Sequence, residues 1–292
     1  MQLKSWLIIA GIAACSTMAA GSFDRVGAVT TVLYDGTSGV TPDLYNAPNS
    51  YLSFTNLGTG TQTASGGATT LNTTLEATYA GYSNYNSGGS LVNSSFPVLD
   101  NSIGYTLSFT FKANSQTNNG TNGDFRAGFS AIVLGNDNRG IEIGFRKQNT
   151  KVAGLTPDIF SQNDSNFNSL GEQNNTIGTI LDNLSTYQLN VLGNTYQLTS
   201  GGNTLLTGLV RDYTGATGPL SAVYRTPNFI FLGDNTTSAG ASVDITNISI
   251  TTNATSVPEP SNWIGIGLAI GFGIKLKARL SKSNQEFTKL LK

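Results

Sequence analysis

The chain has 292 residues with 34 Gly, 16 Lys plus Arg, 17 Asp plus Glu, one Cys and no His. Without an imidazole, Ser-His-Asp and Cys-His catalysis are excluded, together with the commonest neutral ligand of zinc and mononuclear iron. The single Cys15 can form no internal disulfide.

The formal net charge of −1 conceals a division along the chain. Residues 29–256 hold 8 basic and 14 acidic side chains, a net of −6, whereas residues 275–292 hold 6 basic and 1 acidic, a net of +5. An acidic body is unsuited to nucleic acid, because neutralising phosphates needs a concentrated Lys/Arg surface.

At the N-terminus Lys4 precedes the apolar run Trp6 to Ala14. This is the order of a secretory signal and is too short to read first as a membrane span, so the export machinery and a signal peptidase are expected partners. Small residues at Val26 and Ala28 favour a cut before Val29, giving a signal over residues 1–28. Ile12-Ala13-Ala14-Cys15 offers a lipobox-like alternative with Cys15 lipidated, and an ordinary buried helix is the plain alternative to both.

Residues 29–256 then read as an extracellular all-β domain. Period-two apolar alternation marks strands at Tyr105-Leu107-Phe109-Phe111, Phe125 to Val133 and Ile141-Ile143-Phe145. Further strands are predicted at Thr31 to Tyr34, Tyr51 to Phe54, Thr69 to Tyr79, Ser90 to Val98, Tyr187 to Leu192, Tyr196 to Thr199, Thr204 to Val210, Asn228 to Leu232 and Ala241 to Ile250. Gly135 to Asn138, Ser200 to Asn203 and Gly233-Asp234-Asn235 carry turn chemistry. Phe160 to Asn175 reads as a surface loop, and Thr176 to Leu184, with Ile177, Ile180, Leu181 and Leu184 at helical spacing, as a short amphipathic turn. With no recurring helical intervals, the pattern predicts an antiparallel two-sheet sandwich. Over about residues 90–250 this order resembles the concanavalin-like, laminin-G-like jelly roll, a resemblance that implies a carbohydrate- or protein-facing surface by analogy.

Candidate site residues in the body are few. Asp137, Asn138, Asp234 and Asn235 carry turn oxygens of the kind Ca2+ takes, provided that separate loops converge; turn formation alone also explains them. Asp158 to Asp164 reads as a solvated loop, without the spacing of an EF-hand. Glu142 and Arg146 fall on one side of a strand, as same-face support or a cross-strand pair. Tyr79, Tyr82 and Tyr85, interspersed with Gly, Ser and Asn, form an aromatic polar stretch whose rings could stack on sugar or pack on the sandwich rim. Glu76, Glu142 and Glu172 are the carboxylates a glycoside hydrolase or lyase would need, yet no paired-carboxylate pattern occurs on one strand. A non-catalytic surface or matrix protein is therefore expected, with binding of extracellular polysaccharide as the alternative.

The C-terminal residues 257–292 form a separate unit. Val257, Pro258, Glu259, Pro260 and Ser261 precede twelve uninterrupted apolar residues, 263–274, and the cations Lys275, Lys277 and Arg279. The apolar run makes about 18 Å of helix against a hydrocarbon core of roughly 30 Å, which favours transient recognition over lasting anchorage. This three-part order resembles the sorting signal of bacterial PEP-CTERM proteins. The resemblance implies an exosortase-type membrane protease as partner and delivery to the cell surface or extracellular matrix, and it implies no activity for the body.

Overall fold

The computed structural model describes residues 27–74, 79–118, 125–147, 157–164, 170–217 and 221–253. The two terminal segments, with Cys15, Val257–Ser261, residues 263–274 and Lys275, Lys277 and Arg279, lie outside them, as does Glu76. Gly27–Ala254 form one compact unit.

Among the described residues sixteen strands follow in chain order: β1 (Val29–Asp35), β2 (Ser53–Leu57), β3 (Thr61–Ser65), β4 (Ala68–Asn72), β5 (Tyr79–Ser83), β6 (Tyr105–Asn118), β7 (Ser130–Leu134), β8 (Arg139–Arg146), β9 (Asp158–Gln162), β10 (Leu170–Asn174), β11 (Ser185–Leu192), β12 (Thr195–Ser200), β13 (Asn203–Leu209), β14 (Arg211–Asp212), β15 (Phe229–Asp234) and β16 (Ala239–Thr252). They form two antiparallel sheets, the jelly-roll sandwich that the alternation predicts. The first runs β13-β12-β11-β6-β16-β4-β3 with β1 also on β16, and the second runs β10-β9-β8-β7-β15-β5-β2 with β14 on β8. For the described residues no helix is long and apolar enough to cross a membrane.

Strand β6 shows how the core forms. Tyr105, Leu107, Phe109 and Phe111 point inward and are fully buried, while Thr106, Ser108 and Thr110 face out. Phe111 lies 4.5 Å from Phe129 and 5.1 Å, edge-on, from Phe145 between ring centroids, and Tyr187 closes the cluster at 5.0 Å from Phe111. Such pairs add about 0.5–1.5 kcal/mol each to the burial term.

Several connections match their turn chemistry. Gly201 (φ 56°) and Gly202 (φ 79°) join β12 to β13 in the left-handed geometry that a tight hairpin requires. Gly135 to Asn138 turns between β7 and β8, closed by the Gly135 N–H donating to the Arg139 carbonyl at 2.9 Å.

Five predicted elements are corrected. Ser90 to Val98 is not a strand beyond a single bridge between Tyr85 and Leu91; Asn93 turns the chain, its Oδ1 accepting from the Ser95 N–H at 2.9 Å and its carbonyl from the Phe96 N–H at 3.0 Å. Asp158 to Gln162 is a buried strand rather than a solvated loop, and β10 occupies part of the expected surface loop. Thr176 to Leu184 narrows to one 3-10 turn, Ile180–Asp182, which buries Leu181 and leaves Leu184 exposed. Gly233 and Asp234 end β15 and do not form a turn.

Candidate functional site

The inner strands β7, β9 and β15 of the second sheet are buried along their whole length, and β8 over all but Arg139, so both faces of the sheet are covered there. On the inner face Ala131, Val133, Ile141, Ile143, Ile230 and Leu232 join the main core. On the outer face Ile132, Leu134, Phe229 and Phe231 pack beneath Tyr213, Ala216 and Tyr224, in the segment between β14 and β15. That segment leaves part of the face uncovered beside it.

The uncovered part is a cleft of about 250 Å3. Registers explain who lines it. Phe231 stands opposite Ile132 on β7 and Ser83 on β5, while Leu57 stands opposite Tyr79. Gly81 has no Cβ between them, and one placed there would come within 2.6 Å of the Phe231 ring. Ala222, Val223 and Thr226 form one wall, and Asn86, Ser87 and Gly89 the other. Ile132, Phe229 and Phe231 are the buried floor, whereas Leu57 at 53% exposure is a rim residue. Tyr85 leans over the floor, its ring 6.2 Å from Phe229 and its hydroxyl donating to the Pro227 carbonyl at 3.1 Å.

At one side of the cleft Asn235 joins a buried polar cluster. Its Nδ2 donates to Glu142 Oε1 at 2.8 Å, and the Tyr224 hydroxyl donates to Glu142 Oε2 at 2.5 Å. Both Glu142 oxygens are thereby engaged, and Asn235 Oδ1 is left buried without a partner. Burial, and then the adjacent Glu142, push the Tyr224 phenol well above its ordinary range, so it stays a neutral donor.

Arg146, Asp158 and Glu172 form ion pairs elsewhere. Arg146 and Asp158 are at most 1% exposed and pair through Nε–Oδ1 at 2.7 Å and Nη2–Oδ2 at 2.6 Å, with Gln173 donating to Oδ2 and the guanidinium over the Phe160 ring. Glu142 and Arg146 do share a face as expected, yet each takes a different partner. Glu172 accepts from Arg211 at 2.6 Å, from the Tyr196 hydroxyl at 2.8 Å and from the Ser161 hydroxyl. Burial works against its ionisation, but those three donors prevail and hold its carboxyl at about 2.

The aromatic expectation divides. Tyr79 and Tyr85 line the cleft, whereas Tyr82, one strand position off, points into the core with its hydroxyl donating to Gln62 at 2.9 Å. The period of two explains the split. Phe229, Phe231 and Leu57 were not singled out from the sequence. The signal for the two phenylalanines is the unbroken apolar run Phe229 to Leu232, which marks a strand buried on both faces.

The expected cation residues do not converge. Asp137 and Asn138 follow the end of β7 that pairs with Phe229, whereas Asp234 and Asn235 lie at the opposite end of β15. Five residues of strand separate the two, roughly 17 Å. Asp137 Oδ1 instead accepts from Asn101 at 2.9 Å and from the Arg139 N–H at 3.0 Å, and Asn138 adopts φ 63° to close the turn. Asp234 ends β15 facing inward, while Asn235, just past the strand, faces Glu142 and the cleft. Among the described residues no three acidic or thiol side chains are placed to hold a metal.

No family model and no curated protein matches the chain. Among solved structures, a carbohydrate esterase from the Shiga toxin-encoding bacteriophage phi24B aligns at 11% identity over 77% of this chain and 100% of its own, with a TM-score of 0.48. The exoplasmic/lumenal domain of VIP36 in its Ca2+/Man2-bound form aligns at 12% identity over 79% and 90%, with a TM-score of 0.43. A protein of unknown function from Shewanella oneidensis MR-1 aligns at 12% identity over 80% and 89%, also at 0.43. At such identities the likeness concerns the fold alone.

Proposed function

We propose that this chain is an exported, non-catalytic binding module of the cell surface or extracellular matrix, and that it holds carbohydrate in the cleft above β15. The observation that carries the reading is the cleft itself: aromatic side chains from β5, the loop that follows it and β15, with Ser83, Thr226, Asn86 and Asn235 among them. A pyranose ring presents C–H faces that pack on aromatic rings and hydroxyls that need nearby donors and acceptors, and this lining supplies both. The absence of catalysis is supported by the carboxylates: Glu142 is buried with both oxygens bonded, and Glu172 is committed to Arg211. Export and sorting by an exosortase-type protease rest on the Val257 to Ser261 motif, the apolar run and the basic residues that follow.

The test is affinity electrophoresis of the protein through gels containing a panel of polysaccharides. Retardation by at least one of them, lost by about tenfold or more in Tyr85→Ala with unchanged thermal melting, is the expected result. Absence of retardation throughout the panel, with self-association retained, overturns the reading in favour of a structural matrix protein.

A further inference from the structure

We infer that the sugar taken by this cleft is neutral and carries an apolar substituent, as in a 6-deoxy, O-methyl or O-acetyl sugar, and is not a uronate or a sulfated sugar. The inference rests on the carbohydrate reading above and specifies the ligand class within it.

Three observations carry it. None of the fifteen lining residues bears a charge, so a carboxylate or sulfate entering the cleft would lose water and gain no counter-ion. The body around it carries a net of −6, which disfavours approach of a polyanion. The polar groups are also unevenly placed: Asn86, Ser87 and Thr226 stand at the exposed walls, whereas the floor is Ile132, Phe229 and Phe231, with Val223 beside it. A hydroxyl driven onto that floor meets carbon on most sides and is left unpaired, while a methyl or acetyl group finds matching contacts. Beside the floor, the buried Ser83 already accepts the Tyr85 N–H at 3.0 Å through its Oγ, and Thr55 on β2 is half-buried. Asn235, at the side of the cleft, commits its Nδ2 to Glu142 and Tyr224 and keeps only its Oδ1 unpartnered. The lining therefore matches a ring with one hydroxylated edge turned to the walls and one deoxygenated or capped edge turned to the floor.

Titration calorimetry of the full chain with matched oligosaccharides tests this. The pairs are a hexose and its 6-deoxy form, and a free and an O-acetylated glycan, alongside uronate and sulfated oligomers. The 6-deoxy and acetylated members are expected to bind at least about tenfold more tightly than their parents, with an affinity insensitive to salt, and the anionic oligomers not to bind. Val223→Ser is expected to shrink the preference. Leu57→Ser, at an exposed rim position, serves the same purpose if the first variant melts early. Parents bound as tightly as their capped forms, or preferred binding of uronates lost in Tyr85→Ala, overturns this inference and leaves the carbohydrate reading standing. Failure of every saccharide to bind overturns both.

Discussion

The outer faces of the two sheets have opposite fates. On the first sheet, Thr106, Ser108 and Thr110 of β6 stand beside Asn190, Gln188 and Thr186 of β11 and Thr251, Ser249 and Asn247 of β16. These hydroxyls and amides are uncharged and, apart from the buried Ser249, are half-buried or exposed; several bond to one another, as Thr110 does to Thr186 at 2.8 Å and Asn190 to Thr106 at 3.0 Å. The second sheet is buried on that side as well, and it carries Arg146, Asp158 and Glu142 together with the aromatic floor of the cleft. Both faces are made by the same two-residue alternation. They differ in whether a later segment of chain returns to cover them, and polar groups acquire specific roles only where water is excluded.

The sharpest way to break this contrast is at the Arg146–Asp158 pair. Asp158→Ala leaves a buried guanidinium without its carboxylate and is expected to cost about 3–5 kcal/mol in urea unfolding, whereas the double variant Arg146→Met with Asp158→Leu should cost much less. Equal losses in the two variants would show that packing, and not an uncompensated charge, sets the effect.

An intermediate effect is expected from pH, through two carboxyls of opposite behaviour. Asp234 is fully buried, its Oδ1 accepting the Thr236 N–H at 3.0 Å and its Oδ2 unpartnered. Burial pushes its pKa well above the carboxylate range, against the pull of the Thr236 N–H and the Thr73 hydroxyl. The folded state thus favours the protonated form. The stability it contributes is complete below the unfolded pKa of about 3.9 and declines as pH rises toward the folded value. Glu172 behaves in reverse: its contribution is present above an unfolded pKa of about 4.3 and disappears as pH falls through about 2. Asp234→Asn should therefore flatten the decline on the alkaline side, and Glu172→Gln should remove stability at neutral pH while leaving the most acidic values nearly unchanged. Urea midpoints measured across the pH range check both signs.

The smallest effect belongs to the open face. Thr110→Val and Thr186→Val each remove an exposed hydroxyl from a mutually bonded pair and are expected to shift stability by no more than about 0.5 kcal/mol. A loss above that value in thermal or urea unfolding would mean that the open face also depends on its polar contacts.

Much of the architecture was legible wherever only one face of a strand is buried. β6, β11 and β12 alternate cleanly, and their predicted spans agree with the observed strands to within a few residues, apart from the C-terminal extension of β6. Strands whose second face is covered too were less legible. Asp158, Ser161 and Gln162 look like solvated residues in a short window. Their burial depends on Arg146, twelve positions earlier, and on Gln173 and Tyr213 further on. The cleft was half legible for the same reason. Tyr79 and Tyr85 were identified by composition, but Tyr82 could be separated from them only by the strand register of β5, which begins at Tyr79.

The sequence alone therefore determined the all-β character, the acidic body between differently built ends, and the exclusion of imidazole chemistry. Each of these follows from local periodicity or from counting. Only the tertiary structure decided which sheet face would be roofed, which tyrosine would meet the cleft, and that Glu142 would meet Tyr224, 82 residues away. Those outcomes depend on long-range register and chain return, and a window of neighbouring residues does not contain the partner that completes them.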